Sequence, residues 1–200
     1  MPALAFAAVG AHSLLMKWDD TDQQLCSVAR ALSVLGERWT LLIIRDAFRG
    51  TRRFDDFQAS LGVTRHRLSE RLKKLVAEGV LTRVPYQDRP MRYEYRLTRK
   101  GLALYPILMT LSQWGDDWMD DGNGPPQYYR HSACGKTTRP VLSCDQCGDP
   151  LRPEEVSQQQ GTVLSRYVAH LKATGAALPS EGELARTAPQ YWREQREEAP

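Results

Sequence analysis

Arg65, Arg67, Arg71, Lys73 and Lys74 crowd into the stretch "GVTRHRLSERLKKLVAEGVLTRV", residues 62–84. Leu68, Leu72 and Leu75 recur among them at helical spacing, so cations take one side of a helix and leucines the other. A guanidinium offers two parallel N–H donors that match guanine N7 and O6 in the DNA major groove, which admits a single helix. Recognition helices meet base edges near their N-terminus, and this singles out Arg65 and Arg67. His66 and Glu70 share that outer face and could also read bases, Glu70 by accepting from cytosine N4. Arg71, Lys73 and Lys74 suit phosphates, which adds affinity without sequence information. Ser69 could reach a phosphate or stand solvated, and Thr64, which opens the helix, completes the set. The plain alternative is an amphipathic surface helix with a charged wet side. The elements around it must decide.

A second chemistry-bearing group is "HSACGKTTRPVLSCDQCG". His131-x2-Cys134-Gly and Cys144-x2-Cys147-Gly form two knuckles, each followed by a glycine that lets backbone N–H groups curl toward the sulfurs. Four N/S ligands at this spacing suit a tetrahedral structural Zn²⁺. The competing readings are loops with free thiols, or a Cys144–Cys147 disulfide. The remaining cysteine, Cys26, lies near the start of a helix and one turn before Arg30. A helix N-terminus and a cation both favour a reactive thiolate, which makes Cys26 a candidate sensor. The other reading, which the apolar periodicity favours, is a small buried residue at a subunit seam.

Stepping outward from these residues, Leu25, Val28, Ala29, Leu32 and Leu35 predict a first helix from about Asp22 to Leu35. Trp39, Leu42, Ile43 and Ala47 mark a second helix closed by Gly50, and Phe54, Phe57 and Leu61 a short third. Thr64 is a suitable N-cap for the fourth, basic helix, with Val63 and Leu68 as a hydrophobic staple. Gly79 stops that helix. "VLTRVPY" and "RYEYRLT" then alternate in polarity as strands around the turn signals of "QDRPM", where Arg89 and Arg92 flank the hairpin tip. An Arg there can enter a narrow minor groove or touch its phosphates. Thr98 caps a last long helix, in which Pro106 predicts a kink. Along it Leu104, Ile107, Leu111, Trp114 and Trp118 step by three and four, the spacing of a helix–helix seam. With Leu25, Val28 and Leu32 this is more apolar surface than one small domain can cover, and it predicts a homodimer.

Helix, helix, short helix, tight turn, basic helix, hairpin and long helix make a winged helix-turn-helix. The fold class is mainly α with a small β-hairpin (α+β), carrying a short C-terminal zinc-ribbon-like extension. The hairpin placed directly after the basic helix moves the balance from a plain surface helix to double-stranded DNA binding. The segment from Cys26 to Trp114 also resembles the HxlR family of bacterial winged-helix regulators. The features that carry this are the cysteine of the first helix, "GERWTLLIIRDAFRG", "RFDDFQ", "LSERLKKLVAEGVLTR", "YEYRLTRKG" and the downstream tryptophan. The resemblance covers roughly residues 22–121. It implies a homodimeric transcription factor, built on its first and last helices, that responds to a small-molecule or redox signal. In some members the matching cysteine senses oxidants or electrophiles. Two departures stand out: Ser27 follows the cysteine where the family usually has proline, and "DRPMR" has one proline and Arg92 where a Pro-Pro pair and an apolar residue are frequent.

Charge distribution supports a polyanion partner. Residues 65–100 hold eleven Lys/Arg against four Asp/Glu, a local net of +7 in a chain whose net charge is only +3. No apolar run reaches the ~20 residues of a membrane helix. The cysteine spacing is not that of a secreted disulfide framework, so a cytoplasmic protein is expected. Residues 1–21 mimic an export signal but lack a leading Lys or Arg, and are read as a disordered leader. Residues 22–121 form the DNA-binding and dimerisation domain, 122–160 the Cys/His-rich segment, and 161–200 a polar tail with one helix around Val163, Tyr167, His170 and Leu171. The predicted function is a sequence-specific regulator on a pseudo-palindromic operator, with repression the expected output and an unidentified effector. The rival is a winged-helix module for RNA or protein contacts in a larger assembly. No phosphate loop, paired-carboxylate motif or Cys–His couple in a catalytic context points to an enzyme.

Overall fold

A computed structural model describes residues 26–159 and 161–178. The predicted leader, the stretch from Asp22 to Leu25 and the end of the tail lie outside the described residues. The chain divides into two compact units. One holds α1 (Ser27–Leu35) and α7 (Thr162–Ala173); the other holds everything between Glu37 and residue 159. In α7 the packed stripe is Leu164, Tyr167, Val168 and Leu171, so His170 lies beside the apolar face and not within it.

The larger unit begins with α2 (Thr40–Phe48), α3 (Phe54–Leu61) and α4 (Arg65–Ala77). Ile43, Ile44, Phe57, Val63, Leu68, Leu72 and Leu75 form its buried core, closed by Val80 and Leu81. Burying each large side chain contributes about 1.5–3 kcal/mol, which seats α4 on the core. Trp39, expected inside α2, instead precedes it with a left-handed backbone (φ 75°). A non-glycine residue there costs roughly 1–2 kcal/mol.

Thr64 caps α4 as its sequence position predicts: its hydroxyl accepts from the Arg67 N–H at 3.5 Å. After α4 come β1 (Leu81–Asp88) and β2 (Met91–Leu97), antiparallel with Leu81 opposite Leu97 and a bulge at Tyr86. The strands run further into "QDRPM" than its turn residues suggest, leaving Arg89 and Pro90 at the tip. The segment before α3 also joins this wing. Arg53 bridges to Glu94, and the Tyr95 N–H donates to the Arg52 carbonyl at 2.7 Å. Nothing in "TRRF" carries a strand signal, because an isolated bridge needs no period of its own.

The single long helix expected after Thr98 is two helices, α5 (Arg99–Leu102) and α6 (Tyr105–Trp118). Pro106 therefore produces no interior kink. It occupies the first turn of α6, where a missing N–H costs nothing. Leu104, assigned to the seam, is the residue before that helix. The break falls just before Pro106, which has no N–H to continue the helical ladder, while at Gly101 a Cβ would stand 2.3 Å from the Val80 carbonyl oxygen. This close approach locks α5 onto the end of α4. Thr98 completes the joint: its hydroxyl donates to the Gly79 carbonyl at 2.6 Å and accepts from the Gly101 N–H at 3.1 Å. β3 (Tyr129–Arg130) and β4 (Thr137–Thr138) pair beyond α6, followed by one 3-10 turn at Pro153–Glu155. No helix among the described residues is long and apolar enough to cross a membrane.

Candidate nucleic-acid interface

Helix α4 presents Leu68, Leu72 and Leu75 to the core, and its remaining faces carry the charge. Arg65, His66, Arg67, Glu70 and Lys73 are exposed; Ser69, Arg71 and Lys74 are half-buried. This split follows from the helical step and from what stands beside the helix. Glu37, in the turn before α2, accepts from Lys74 Nζ at 2.9 Å and pairs with the Arg71 guanidinium. Two of the three residues assigned to phosphates thus share one internal carboxylate, and the three groups together carry +1. Glu37 has no periodicity to reveal it, being a single acid in a turn 34 residues before Arg71.

Arg65 is also held internally. Its guanidinium donates to Asp55 Oδ1 at 3.0 Å and Gln58 Oε1 at 3.1 Å, and lies over the Phe54 ring at 4.8 Å from the centroid. All three partners belong to α3, so the side chain of Arg65, the first residue of α4, is tied to α3. His66 stands 3.3 Å from Glu70, one turn on. Arg67 and Lys73 have no side-chain partner among the described residues. The geometry leaves Arg67 at the exposed first turn and Lys73 further along the wet face.

In the wing, Arg83 lies over the Tyr93 ring at 3.9 Å and Arg53 over the Tyr86 ring at 4.6 Å. Cation–π contacts of this kind hold the guanidinium flat against the hairpin. Arg96 pairs with Glu94 at 3.1 Å. Arg89 at the tip and Arg92 in β2, opposite Gln87, are exposed, and the Gln87 amide donates to the Arg89 carbonyl at 3.0 Å. Sequence reasoning assigned roles to Arg89 and Arg92 but none to Arg53 and Arg83. Tyr93, two places from the cross-strand partner of Arg83, is a signal for Arg83, whereas no pattern in the sequence brings Arg53 to Tyr86.

The other groups singled out by sequence lie elsewhere. Cys26 is exposed and sits at the N-cap of α1. Val28 and Leu32 are exposed on α1, and Ile107, Leu111, Trp114 and Trp118 along α6, Trp118 to 76%. The two knuckles repeat one backbone pattern. The His131 and Cys144 N–H groups donate to the carbonyls of Lys136 and Asp149, and the N–H groups of Gly135 and Gly148 return to the carbonyls of His131 and Cys144. Both glycines take a positive φ, +71° and +81°, as such a turn requires. Cys134 Sγ is 3.5 Å from His131 Nδ1. The Cys144 thiol is held below its ordinary range, first by the backbone N–H of Cys147, then by that of Gln146 and by the Cys147 thiol. Among the described residues no three His, Cys, Asp or Glu side chains gather in one cluster that could hold a metal. Arg139, between them, reaches α6 through Asp117 at 2.7 Å. The Asp117 carboxyl lies below the usual carboxylate range, chiefly because the Gln113 amide donates to it, with Arg139 adding to the effect.

Comparison with known proteins agrees with this geometry. Residues 34–123 match the family model described as HxlR-like helix-turn-helix. An uncharacterised HTH-type transcriptional regulator of Mycobacterium tuberculosis, Rv3095, is 46% identical over 135 residues, spanning 68% of this chain and 85% of its own. YvaP of Bacillus subtilis, with the same description, is 42% identical over 92 residues, 46% of this chain and 85% of its own. Among solved structures, PA1607, a proposed transcription factor, superposes with a TM-score of 0.65 at 37% identity, covering 71% of this chain and 99% of that one. PA1374 of Pseudomonas aeruginosa, also a proposed transcription factor, gives 0.51 at 36% identity, covering 68% and 93%.

Proposed function

Because this chain belongs to the HxlR-like helix-turn-helix family, we propose that it regulates transcription as a homodimer, each copy laying α4 on one half of a pseudo-palindromic operator. DNA binding and regulation follow from the family. The dimer rests on one observation: Ile107, Leu111, Trp114 and Trp118 make an exposed apolar stripe along α6. Four large side chains on one helix face are too much to leave in water in a domain of this size. Covering them with a second copy would bring two α4 helices onto one side of the duplex, at half-sites about one turn or ~34 Å apart. Arg67 then has the position to read bases, with Arg65 oriented by α3. Lys73, Arg89, Arg92 and one net charge of the Arg71–Lys74–Glu37 group serve the phosphates. Sedimentation of the full chain tests the dimer: a dimer at micromolar concentration that Trp114→Glu converts to monomer is expected. A monomeric wild-type chain refutes it.

For the knuckles we propose a structural Zn²⁺ held by His131, Cys134, Cys144 and Cys147. The donor set fits, with three sulfurs and one imidazole nitrogen on two identically folded turns. The chain between them, "KTTRPVLS", has little apolar mass with which to order itself. Four ligands leave no open position, so the ion would supply folding energy and no catalysis. The exposed position of Cys26 at a helix N-terminus supports a second input, thiol modification, beside a small-molecule effector.

A further inference from the structure

A cavity of about 350 Å³ lies between α2, α6 and the segment 126–129, a size within the range of small-molecule sites. Phe48, Tyr105 and Tyr129 line it with aromatic surface; Leu41, Leu108 and Met109 supply aliphatic walls. Phe48 and Tyr105 meet at 5.0 Å between ring centroids. Three charged side chains reach the lining: Arg45, Arg49 and Asp116. They are not equivalent. Arg45 is bound to the buried carboxylate of Asp46, at 2.9 Å from Nε and 2.8 Å from the terminal nitrogen. That carboxylate also accepts from the Ser60 hydroxyl at 2.8 Å, and stands 4.0 Å from Arg49. The closest partner of Arg49 is the neutral amide oxygen of Gln127, at 2.8 Å.

We infer that this cavity is the effector site, and that it takes a small aromatic mono-carboxylate whose carboxylate displaces Gln127 from Arg49. The inference rests on the reading of the chain as a regulator that answers to a small molecule. A carboxylate is a stronger partner for a guanidinium than an amide is, and two parallel bonds add direction. The rings of the ligand replace water against Phe48, Tyr105 and Tyr129. Asp116 repels a second anionic group, which limits the class to mono-acids. Neither Arg49 nor Gln127 contacts the recognition helix, so the pocket does not compete with DNA for its cations.

The position of the site couples it to the rest of the molecule. At about 100° per residue, Tyr105, Leu108, Met109, Ser112 and Asp116 fall on one side of α6. Ile107, Leu111, Trp114 and Trp118 fall on the other, and Leu111 also reaches the cavity lining. One helix therefore separates the cavity from the proposed dimer stripe. A ligand wedged against α2 shifts α6, and with it the spacing of the paired α4 helices. Gln127 lies in the chain that leads into the knuckles, so releasing it also loosens their tether.

Calorimetry of the full, DNA-free chain with 1-naphthoate and its neutral isostere 1-naphthamide tests the site, while duplex binding is followed separately by anisotropy. Saturable sub-millimolar binding of naphthoate is expected, about tenfold tighter than the amide, as one charge-assisted contact provides. Arg49→Gln should abolish that preference and leave the amide bound as before. Gln127→Ala should strengthen naphthoate binding, since it removes the competing acceptor. Ser112→Leu should block both compounds by filling the cavity. Equal affinities for acid and amide in the wild type overturn the inference, as does undiminished binding by Ser112→Leu. Absence of saturable binding, the result if a second copy's side chains fill the cavity, overturns it too. A chain that binds duplex but not naphthoate refutes the pocket alone; one that binds naphthoate but not duplex refutes the regulatory reading alone.

Discussion

Replacing Glu37 with Gln should make the protein bind DNA more tightly while folding less stably. The Glu37 carboxylate faces Arg71 and Lys74, with all three side chains 25–35% exposed. Its loss raises the charge of the group from +1 to +2. Each added phosphate contact steepens the dependence of log K on log salt by about 0.9. Over a fourfold change in salt, from about 50 to 200 mM, the advantage of the variant over wild type should then shrink roughly threefold. Two partly exposed ion pairs are weakened at the same time, so unfolding should become easier by roughly 1–2 kcal/mol. Fluorescence anisotropy on a short random-sequence duplex at four salt concentrations measures the first effect, and urea melts the second. Random sequence is the right substrate, because Glu37 touches residues assigned to phosphates and none assigned to bases. Parallel salt slopes for variant and wild type would show that the triad does not face the duplex.

Arg67→Ala should cost about 1–3 kcal/mol on a specific operator and much less on a scrambled duplex; equal losses would place Arg67 on the backbone. Protein purified without chelator or affinity tag should contain one zinc per chain by elemental analysis, with Zn–S near 2.3 Å and Zn–N near 2.0 Å by X-ray absorption. Trace zinc with Cys134, Cys144 and Cys147 all freely titratable would rule this ion out. Cys26 should alkylate faster than an unstructured thiol, and Cys26→Ser should lose any response of DNA binding to electrophiles. An unchanged response in that variant leaves the cysteine without a sensing role.

Periodicity, with cap and turn residues between the periodic runs, was enough to read the winged helix. Leu68, Leu72 and Leu75 against Arg67 and Lys73 is a one-dimensional pattern, because a helix converts spacing in the chain directly into direction in space. Thr64 and the strands after Val80 were legible for the same local reason, whereas the last helix packs Leu164 and Val168 beside Tyr167 and Leu171 in place of Val163 and His170. Local signals failed where two remote segments meet. Gly101 reads as an ordinary residue of a long helix until the Val80 carbonyl is placed against it, and Pro106, read as an interior kink, falls in the first turn of a separate helix. Arg65, Arg71 and Lys74 are alike in sequence to Arg67 and Lys73, yet Asp55, Gln58 and Glu37 distinguish them, because a charge is defined by its neighbours. The cavity beside Arg49 left no trace in the sequence at all. Its walls come from two helices and a later segment, brought together only when the chain folds, and the empty space between them belongs to none of the residues that line it.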